Sequence, residues 1–406
     1  MKRKIAMAIM TATMIMSAVP VCAAGTDYGT TIEGTKTTTF DKYLVMDQQA
    51  NVPNASFTYA VTAGTAKAYD VAGKKFQVLA GVEAEKVTMA GVGTTTANII
   101  TYKQGDTTKQ DENDLVKNYD KDTEKYAVKT ATLDFSQVQF TEPGVYRYIL
   151  TESGNNQAIT NDADLTRVVD VYVDDASAVG EDGTLNKKLK IAGYVLHSNA
   201  DDAPDVAAGE NMGSTGSYVA TKSQGFTNEY DTSDLTFRKE VKGNQASHDK
   251  YFEFTVKITG AVKGTVYNVD TTNADATSGN NAATITANTG KANVTSLTVG
   301  EDGTVTQKFY LQHGQEVKIQ GIAKDTKYDV TENTEDYKST PAGITNYTDA
   351  VNGTVASTDL KTSYLNTRDG VIPTGVIMTV APFAAVTLLG GFGIAKLSMK
   401  KRRDDE

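Results

Sequence analysis

Short runs in which apolar and polar residues alternate are the feature that most constrains the fold of this chain of 406 residues. The alternation is clearest at residues 57–61, 145–150, 168–173 and 252–256. A period of two, in runs rich in β-branched and aromatic residues, predicts half-buried β-strands. No long segment between residues 25 and 370 has helical periodicity. We therefore predict an all-β protein built of sandwiches of antiparallel strands.

Pairs of residues that favour tight turns punctuate these runs. They include Asp182-Gly183, Asp302-Gly303 and Asn352-Gly353. Because such pairs adopt positive φ angles readily, we expect each of them to form a turn between strands.

A weak internal repeat divides the predicted strands into two units. Each copy presents a lysine near its start, a Thr-Glu pair in its middle and an asparagine at its end. The members are Lys42, Glu152 and Asn228 in the first copy, and Lys239, Glu332 and Asn366 in the second. The repeat predicts two tandem domains, at residues 25–230 and 231–370.

The N-terminus has the pattern of a secretory signal peptide. The basic start Lys2-Arg3-Lys4 is followed by an apolar stretch at residues 5–19 and then by small residues. We place the signal peptide at residues 1–24, with cleavage after Ala23 or Ala24. Cleavage removes Cys22, the single cysteine, so we expect an exported protein that has no disulfide.

The C-terminus, residues 371–406, has the pattern of a membrane anchor. Residues 376–395 carry no charge, and as a helix they are long enough to cross a bilayer. Basic residues follow between Lys396 and Arg403, so the positive-inside rule puts the part before residue 376 outside the cell. The alternative interpretation is a buried core helix.

The repeated lysine, glutamate and asparagine suggest a cross-link inside each domain. Burial drives a lysine towards its neutral, nucleophilic amine, because a low dielectric disfavours the charged form. A buried carboxylic acid can polarise an amide carbonyl and carry protons, so the amine can attack the amide carbon and release ammonia. Folding would supply the catalysis by proximity. The alternative is that all six are ordinary surface residues, since their types are common there.

Taken together, these features resemble the backbone pilins of Gram-positive bacteria of the group A streptococcal type. The resemblance covers essentially the whole mature chain. It is carried by residues 40–45 with 51–54, by the strand at 143–148 that leads to Thr151-Glu152, and by the eleven-residue spacing from Asn228 to Lys239. It implies two Ig-like domains of the CnaB type. It also implies autocatalytic isopeptide bonds, from Lys42 to Asn228 with Glu152 and from Lys239 to Asn366 with Glu332.

The sequence Val371-Ile372-Pro373-Thr374-Gly375 resembles the sorting motifs of pilus-specific sortases, although Ile372 stands where leucine is usual. The resemblance implies that a sortase cysteine attacks the Thr374 carbonyl and releases the chain from Gly375 onward. A lysine of the next subunit then resolves the thioester. The expected donor is Lys222, six residues before Asn228 and one position from where the resemblance puts it. The alternatives are that Lys222 is an ordinary exposed lysine and that the donor is Lys187, Lys188 or Lys190.

The implied protein is the structural subunit of a fimbria on the Gram-positive cell wall, serving adhesion and colonisation. Its implied partners are a pilus-specific sortase, other copies of itself, accessory pilins and the peptidoglycan at the pilus base. Membrane contact is expected only before sorting. The formal net charge of −10 at pH 7 gives no support to nucleic-acid binding.

Two rival functions are an enzyme and a monomeric adhesin. An enzyme acting on an external substrate is disfavoured, because His197, His248 and His313 are scattered in polar surroundings with no metal-ligand spacing. No cofactor and no metal are therefore expected. A monomeric, wall-anchored adhesin is the stronger rival, since it would share the signal peptide, the sandwiches and the sorting motif. An amine donor distinguishes the two, because a backbone pilin needs one and an adhesin does not.

Overall fold

The computed structural model describes residue 28 and residues 31–71, 74–91, 98–153, 158–198, 225–273, 293–341 and 344–371. Within these ranges the chain is nearly all β-strand, with a short 3₁₀ turn at Ala84–Lys86 and no α-helix. The all-β prediction is therefore confirmed. No helix in the described ranges is both long and apolar enough to span a bilayer. The predicted signal peptide and the predicted span at 376–395 lie outside these ranges.

Sixteen strands lie in the described part of residues 32–230. They are β1 (Ile32–Gly34), β2 (Thr37–Asp47), β3 (Ala55–Ala63), β4 (Lys67–Val71), β5 (Lys74–Ala80), β6 (Thr88–Gly91), β7 (Ile99–Tyr102), β8 (Thr108–Lys109), β9 (Glu124–Asp134), β10 (Gly144–Ser153), β11 (Ile159–Thr160), β12 (Thr166–Asp175), β13 (Ala178–Val179), β14 (Leu185–Asn186), β15 (Leu189–His197) and β16 (Gly225–Tyr230). One sheet has the order β1-β15-β12-β10-β3-β7, with the β4–β5 hairpin beside β10. The other has the order β11-β16-β2-β9-β6, with β8 beside β9.

Ten strands follow in the described part of residues 232–367. They are β17 (Thr232–Lys242), β18 (Phe252–Thr259), β19 (Val266–Asn273), β20 (Ser296–Thr298), β21 (Thr304–Leu311), β22 (Gln315–Ala323), β23 (Lys327–Glu332), β24 (Lys338–Pro341), β25 (Asn352–Thr354) and β26 (Leu360–Thr367). They form one sheet with the order β20-β19-β22-β17-β26-β24 and another with the order β21-β18-β23-β25.

A hydrophobic core lies between the two sheets of each set. In β18 the alternation seen in the sequence decides which side chains enter it: Phe252, Phe254 and Val256 are buried, while Glu253 and Thr255 between them are partly exposed. The pleat of a strand sends successive side chains to opposite faces, so a period of two fills one face with apolar groups. The period-two pattern therefore determines which face of β18 packs inward, whereas the prediction of a half-buried strand is wrong at residues 168–173, since these residues of β12 are all buried.

One of the predicted turns is wrong. Asn352 and Gly353 lie in β25, where they pair with Asp329 and Tyr328 of β23. Gly353 has a positive φ of 157°, which glycine adopts readily, and pairing with the neighbouring strand outweighs the local turn preference of Asn352-Gly353. The other two glycines, Gly183 and Gly303, do lie in turns, with φ 78° and 73°.

The two strand sets contact each other through the loop between β2 and β3. The Asn51 side-chain amide donates to the carbonyl oxygen of Val266 at 2.8 Å, and that of Asn54 donates to the carbonyl oxygen of Lys263 at 3.0 Å. Gly321 has φ 68°, and a Cβ there would lie 2.7 Å from the backbone of Ala50, so the close approach requires glycine. The domain limits at 25–230 and 231–370 remain a prediction.

Candidate cross-linking sites

The first predicted set of residues is assembled by a parallel pair of strands. Lys42 lies on β2 and Asn228 on β16, and the register of this pair sets Lys42 opposite Phe226, two residues before Asn228. Residues two apart on a strand share a face, so Lys42 and Asn228 both point from the same face of the sheet. Glu152 reaches them from β10 of the facing sheet. The exposed fractions of Lys42, Glu152 and Asn228 are 0%, 1% and 1%.

Lys42 is paired with Glu152 in an aromatic pocket. Its Nζ lies 2.8 Å from Oε1 and 2.7 Å from Oε2 of Glu152. The same nitrogen lies over the ring of Phe57, 4.2 Å from the ring centroid. Burial lowers the pKa of Lys42 from 10.5 to about 8, against the opposing effect of the carboxylate. A neutral amine is therefore accessible near neutral pH.

The Asn228 amide is held by backbone and side-chain groups before β12. Its Oδ1 accepts from the backbone N–H of Asp162 at 3.1 Å, and its Nδ2 donates to Asn161 Oδ1 at 3.3 Å. Asp162 is itself held by Arg167, whose Nη2 lies 2.7 Å from Oδ2. An N–H donor on the amide oxygen stabilises the negative charge that develops there when a nucleophile attacks the carbon.

The second set repeats this geometry in the other strand group. Lys239 on β17 and Asn366 on β26 again belong to a parallel pair, and Lys239 faces Tyr364, two residues before Asn366. Glu332 ends β23 of the facing sheet. Lys239 and Asn366 are 0% exposed, and the side chain of Glu332 is 1% exposed. The offset between lysine and asparagine is therefore the same in both sets.

In the second set one carboxyl oxygen contacts both of the other members. Glu332 Oε1 lies 2.6 Å from Lys239 Nζ and accepts from Asn366 Nδ2 at 2.9 Å. Lys239 Nζ lies 4.3 Å from the ring centroid of Phe252, as Lys42 lies over Phe57. Burial lowers the pKa of Lys239 from 10.5 to about 8. A carboxyl group between an amine and an amide is placed to move a proton from one nitrogen to the other.

Two residues at these sites were not identified from the sequence. The Tyr59 hydroxyl donates to Glu152 Oε2 at 2.6 Å, and the Ser339 hydroxyl donates to Glu332 Oε2 at 2.8 Å. The strand containing Tyr59 was predicted, but nothing in the sequence indicates which partner its hydroxyl meets. Ser339 lies on the short strand β24, which shows no alternation that would have drawn attention to it.

The residues of the predicted intermolecular joint are mostly outside the described ranges. Lys222 and residues 372–375 of the sorting motif belong to this group. Val371, which begins the motif, is 88% exposed. Of the alternative donors, Lys188 is exposed and pairs with Glu33, with 2.8 Å between Nζ and Oε1.

The histidines are less scattered than the sequence suggests. The rings of His248 and His313 stack, with 4.1 Å between their centroids, because the loops before β18 and β22 meet. His197 is fully buried, with its Nε2 3.2 Å from Asp170 Oδ2. In the described ranges no group of three or more histidine, cysteine or acidic residues is placed to hold a metal ion.

Two family models match consecutive parts of this chain. Residues 82–231 match the family model of the Spy0128-like isopeptide containing domain, and residues 233–368 match a domain of unknown function (DUF7601). A curated pilin of Streptococcus pyogenes serotype M1 is 27% identical over 397 residues, which is 93% of this chain and 95% of that protein. This chain is similar to a streptococcal pilin along almost its whole length.

Solved structures of pilins align with this chain over much of its length. The major pilin from Streptococcus pyogenes is 20% identical, with a TM-score of 0.47, over 82% of this chain and 99% of that one. The major pilin protein T3.2 from the same species is 21% identical, with a TM-score of 0.45, over 82% of this chain and 100% of that one.

One family match contains all of its candidate site, and the other contains only part of its site. All three members of the second set lie within residues 233–368. In the first set Glu152 and Asn228 lie within residues 82–231, whereas Lys42 precedes that match. Lys42 lies on β2, ahead of the residues that this family model matches.

Proposed function

We propose that this chain is the structural backbone subunit of a covalently polymerised surface pilus, with each domain closed by an autocatalytic isopeptide bond. The bonds join Lys42 to Asn228 and Lys239 to Asn366. The observation that carries the proposal is the repetition of one arrangement on a pair of parallel strands. In each copy a buried lysine contacts a carboxyl group, and a buried asparagine lies two residues after the residue that pairs with the lysine.

The carboxyl groups have a catalytic part in this proposal. Glu152 and Glu332 each lie within 2.8 Å of a lysine nitrogen. Each takes a proton from the ammonium group, so that a neutral amine attacks the asparagine Cγ, and ammonia leaves. The surrounding phenylalanine rings exclude water, which favours the neutral amine and prevents hydrolysis of the amide.

Polymerisation supplies the bond between subunits. A pilus-specific sortase cleaves between Thr374 and Gly375 and joins Thr374 to Lys222 of another copy. The similarity to a pilin over 93% of this chain supports a pilus subunit. The fibre is attached to peptidoglycan of the Gram-positive cell wall, carries accessory pilins and serves adhesion. The sortase is the enzyme here, and this chain is its substrate.

The cross-links are tested by the intact mass of the mature ectodomain. We expect the wild-type protein to be lighter than its sequence by two molecules of ammonia, and the Glu152→Ala and Glu332→Ala variants by one each. Peptide mapping then assigns the missing bond in each variant. A wild-type mass equal to that of the uncorrected sequence would contradict both bonds at once.

The polymer is tested by immunoblots of cell-wall extracts. We expect a ladder of high-mass species that is lost in Lys222→Ala and in a strain without the sortase. Lys188→Ala is the matched control, since it removes a different lysine of the first domain, one that is exposed, and should leave the ladder intact. A single discrete band in the wild type would indicate a monomeric adhesin, and a ladder that survives Lys222→Ala but not Lys188→Ala would move the donor to Lys188.

A further inference from the structure

The two candidate sites differ in what holds the second oxygen of the carboxyl group. In the first site, Tyr59 faces Glu152 in the β3–β10 register and donates to its Oε2 at 2.6 Å. In the second site, Phe254 occupies the corresponding place, facing Glu332 in the β18–β23 register, and has no hydroxyl. There the donor is Ser339 of β24, which faces Asn366 and lies 2.8 Å from Glu332 Oε2. Two unrelated side chains therefore supply the same hydrogen bond.

The buried Tyr59 hydroxyl keeps its proton and so remains a hydrogen-bond donor to Glu152. It is 2% exposed, and its ring packs against Phe40 at 5.1 Å and Phe226 at 5.6 Å between centroids. Burial and the neighbouring carboxylate raise the pKa of Tyr59 well above its usual value, so the phenol keeps its proton. A serine hydroxyl likewise keeps its proton at any pH at which the protein folds.

The hydrogen bond to Oε2 limits which carboxyl oxygen can take up the proton that moves from lysine to asparagine. A hydrogen bond donated to Oε2 stabilises negative charge on that oxygen and fixes the plane of the carboxyl group. Lys239 Nζ lies 2.6 Å from Oε1 of Glu332, and Lys42 Nζ lies between both oxygens of Glu152, 2.8 Å from Oε1 and 2.7 Å from Oε2. Because a hydroxyl already donates to Oε2 in each site, Oε1 is the oxygen that is better able to take up a proton from the lysine. In the second site the same Oε1 also contacts the asparagine amide.

We propose that Tyr59 and Ser339 are positioning residues for isopeptide formation, each holding Oε2 of its glutamate so that Oε1 carries the proton between lysine and asparagine. The inference rests on the proposed cross-linking function and adds two residues to it. The lysine nitrogen begins with three protons. One passes to Oε1, the neutral amine forms its bond to the asparagine Cγ, and the bond from Cγ to the amide nitrogen breaks. A second lysine proton reaches the departing nitrogen by way of the carboxyl group, ammonia leaves, and the third proton stays on the new amide.

The test follows the formation of each bond separately within one molecule. The mature ectodomain is pulse-labelled during expression, samples are denatured at intervals, and peptide mass spectrometry measures the cross-linked fraction at each site. We expect Tyr59→Phe to slow the first bond about tenfold or more, the effect of one hydrogen bond to a charged group, with the second bond unchanged. Ser339→Ala should slow the second bond and leave the first unchanged, and Ser339→Thr should keep the wild-type rate of the second bond.

Introducing a tyrosine into the second site distinguishes an effect of the hydrogen bond from an effect of side-chain packing. Phe254→Tyr places a phenol opposite Glu332, where Tyr59 lies opposite Glu152, and we expect it to restore the second bond in the Ser339→Ala background. Phe309→Tyr is the matched control, since Phe309 is equally buried in the same core but lies on β21, which does not pair with the strand of Glu332. It should not restore the rate.

The outcomes distinguish this inference from the proposed function. A wild-type protein that loses no ammonia contradicts the cross-links themselves. If the wild type is cross-linked while Tyr59→Phe forms its first bond at the wild-type rate, only the positioning role is overturned. Equal slowing of both bonds by Tyr59→Phe, or rescue by Phe309→Tyr as good as by Phe254→Tyr, also overturns it, because either result assigns the effect to folding.

Discussion

Each candidate site depends on a lysine buried where a charge is costly. Lys42 and Lys239 are fully buried against aromatic rings, with one carboxyl group apiece in contact. A buried ion pair of this kind adds little stability, since the desolvation of two charges offsets their attraction. Conversion of the amine into an amide removes both the charge and its cost. The low stabilisation expected of such a pair is consistent with the proposal that the lysine is a reactant.

The depressed pKa of Lys42 leads to a pH-dependent stability when the bond cannot form. Asn228→Ala removes the electrophile and leaves Lys42 a free, buried amine, whose pKa burial lowers from 10.5 to about 8. Between these values the unfolded state binds more protons than the folded state. The free energy of unfolding should therefore rise as the pH goes from about 8 to 10.5, by up to about 3 kcal/mol, with the full cost of the charge present below pH 8.

Urea denaturation of Asn228→Ala across that pH range measures the effect. The double variant Lys42→Met/Asn228→Ala is the control, since it keeps the tyrosines and other groups that titrate there but lacks the amine. We expect the rise to be absent from the double variant. Equal slopes in the two proteins would show that Lys42 is not the titrating group.

At the residue scale, the sequence predicts the reacting groups but not the ones that orient them. Lysine, glutamate and asparagine recur in the same order in both halves, and that repetition is visible without a structure. Tyr59 and Ser339 donate equivalent hydrogen bonds from strands that do not correspond in the two sets, so the internal sequence repeat does not include them. Their contact depends on tertiary packing across two sheets, which local patterns do not encode.

At the scale of elements, the strand pairs β2–β16 and β17–β26 are the decisive feature. Both join a strand near the start of a strand set to its last strand in parallel, with the same two-residue offset between lysine and asparagine. Alternation in the sequence predicts the strands, but register between segments so distant in the chain comes from packing. The misassigned turn at Asn352-Gly353 has the same origin, since a neighbouring strand determines its conformation.

Gly225 controls how closely β16 approaches β2. Its φ is 154°, and a Cβ at this position would lie 1.7 Å from the carbonyl oxygen of Asp41. Gly225→Ala should push the start of β16 away, misplace Asn228 and leave the first bond largely unformed. We expect a loss of about 3 kcal/mol or more from the displaced strand, beyond the loss of the cross-link.

Intact mass and chemical denaturation test this together. Gly183→Ala is the matched control, because Gly183 also has a positive φ, 78°, but a Cβ there meets nothing within 4 Å. Gly183→Ala should lower the free energy of unfolding by roughly 1 kcal/mol and leave both isopeptide bonds fully formed. A fully cross-linked Gly225→Ala protein would show that β2 and β16 can separate without disturbing the site.

At the scale of the whole molecule, the proposed cross-links would constrain the chain as disulfides do in many exported proteins. A bond from Lys42 to Asn228 encloses most of the first domain and should stabilise it by roughly 5 kcal/mol through the entropy of the unfolded loop. Asn51 and Asn54 couple the two strand sets by hydrogen bonds. Such a molecule is suited to resist both proteolysis and extension.

The order of the linkage points predicts the response of a pilus to tension. If force enters at Lys222 and leaves at Thr374, it runs through Asn228 to Lys239, crosses the second bond to Asn366 and continues to residue 374. Residues 225–230 and 232–242 on this path are already strands, which rise about 3.3 Å per residue and offer little slack. The first domain and residues 240–365 then carry no load, so single-molecule pulling between the two linkage points should show no unfolding step.

Removal of each cross-link should have opposite consequences in that experiment. Glu332→Ala leaves the second bond unformed and places residues 240–365 under load, so a step of roughly 400 Å should appear as they extend. Glu152→Ala removes the other bond, but the first domain stays outside the path and the trace should remain without a step. A step in the wild type, or one that appears in Glu152→Ala, would contradict Lys222 as the point where force enters, because only a donor earlier in the chain places the first domain under tension.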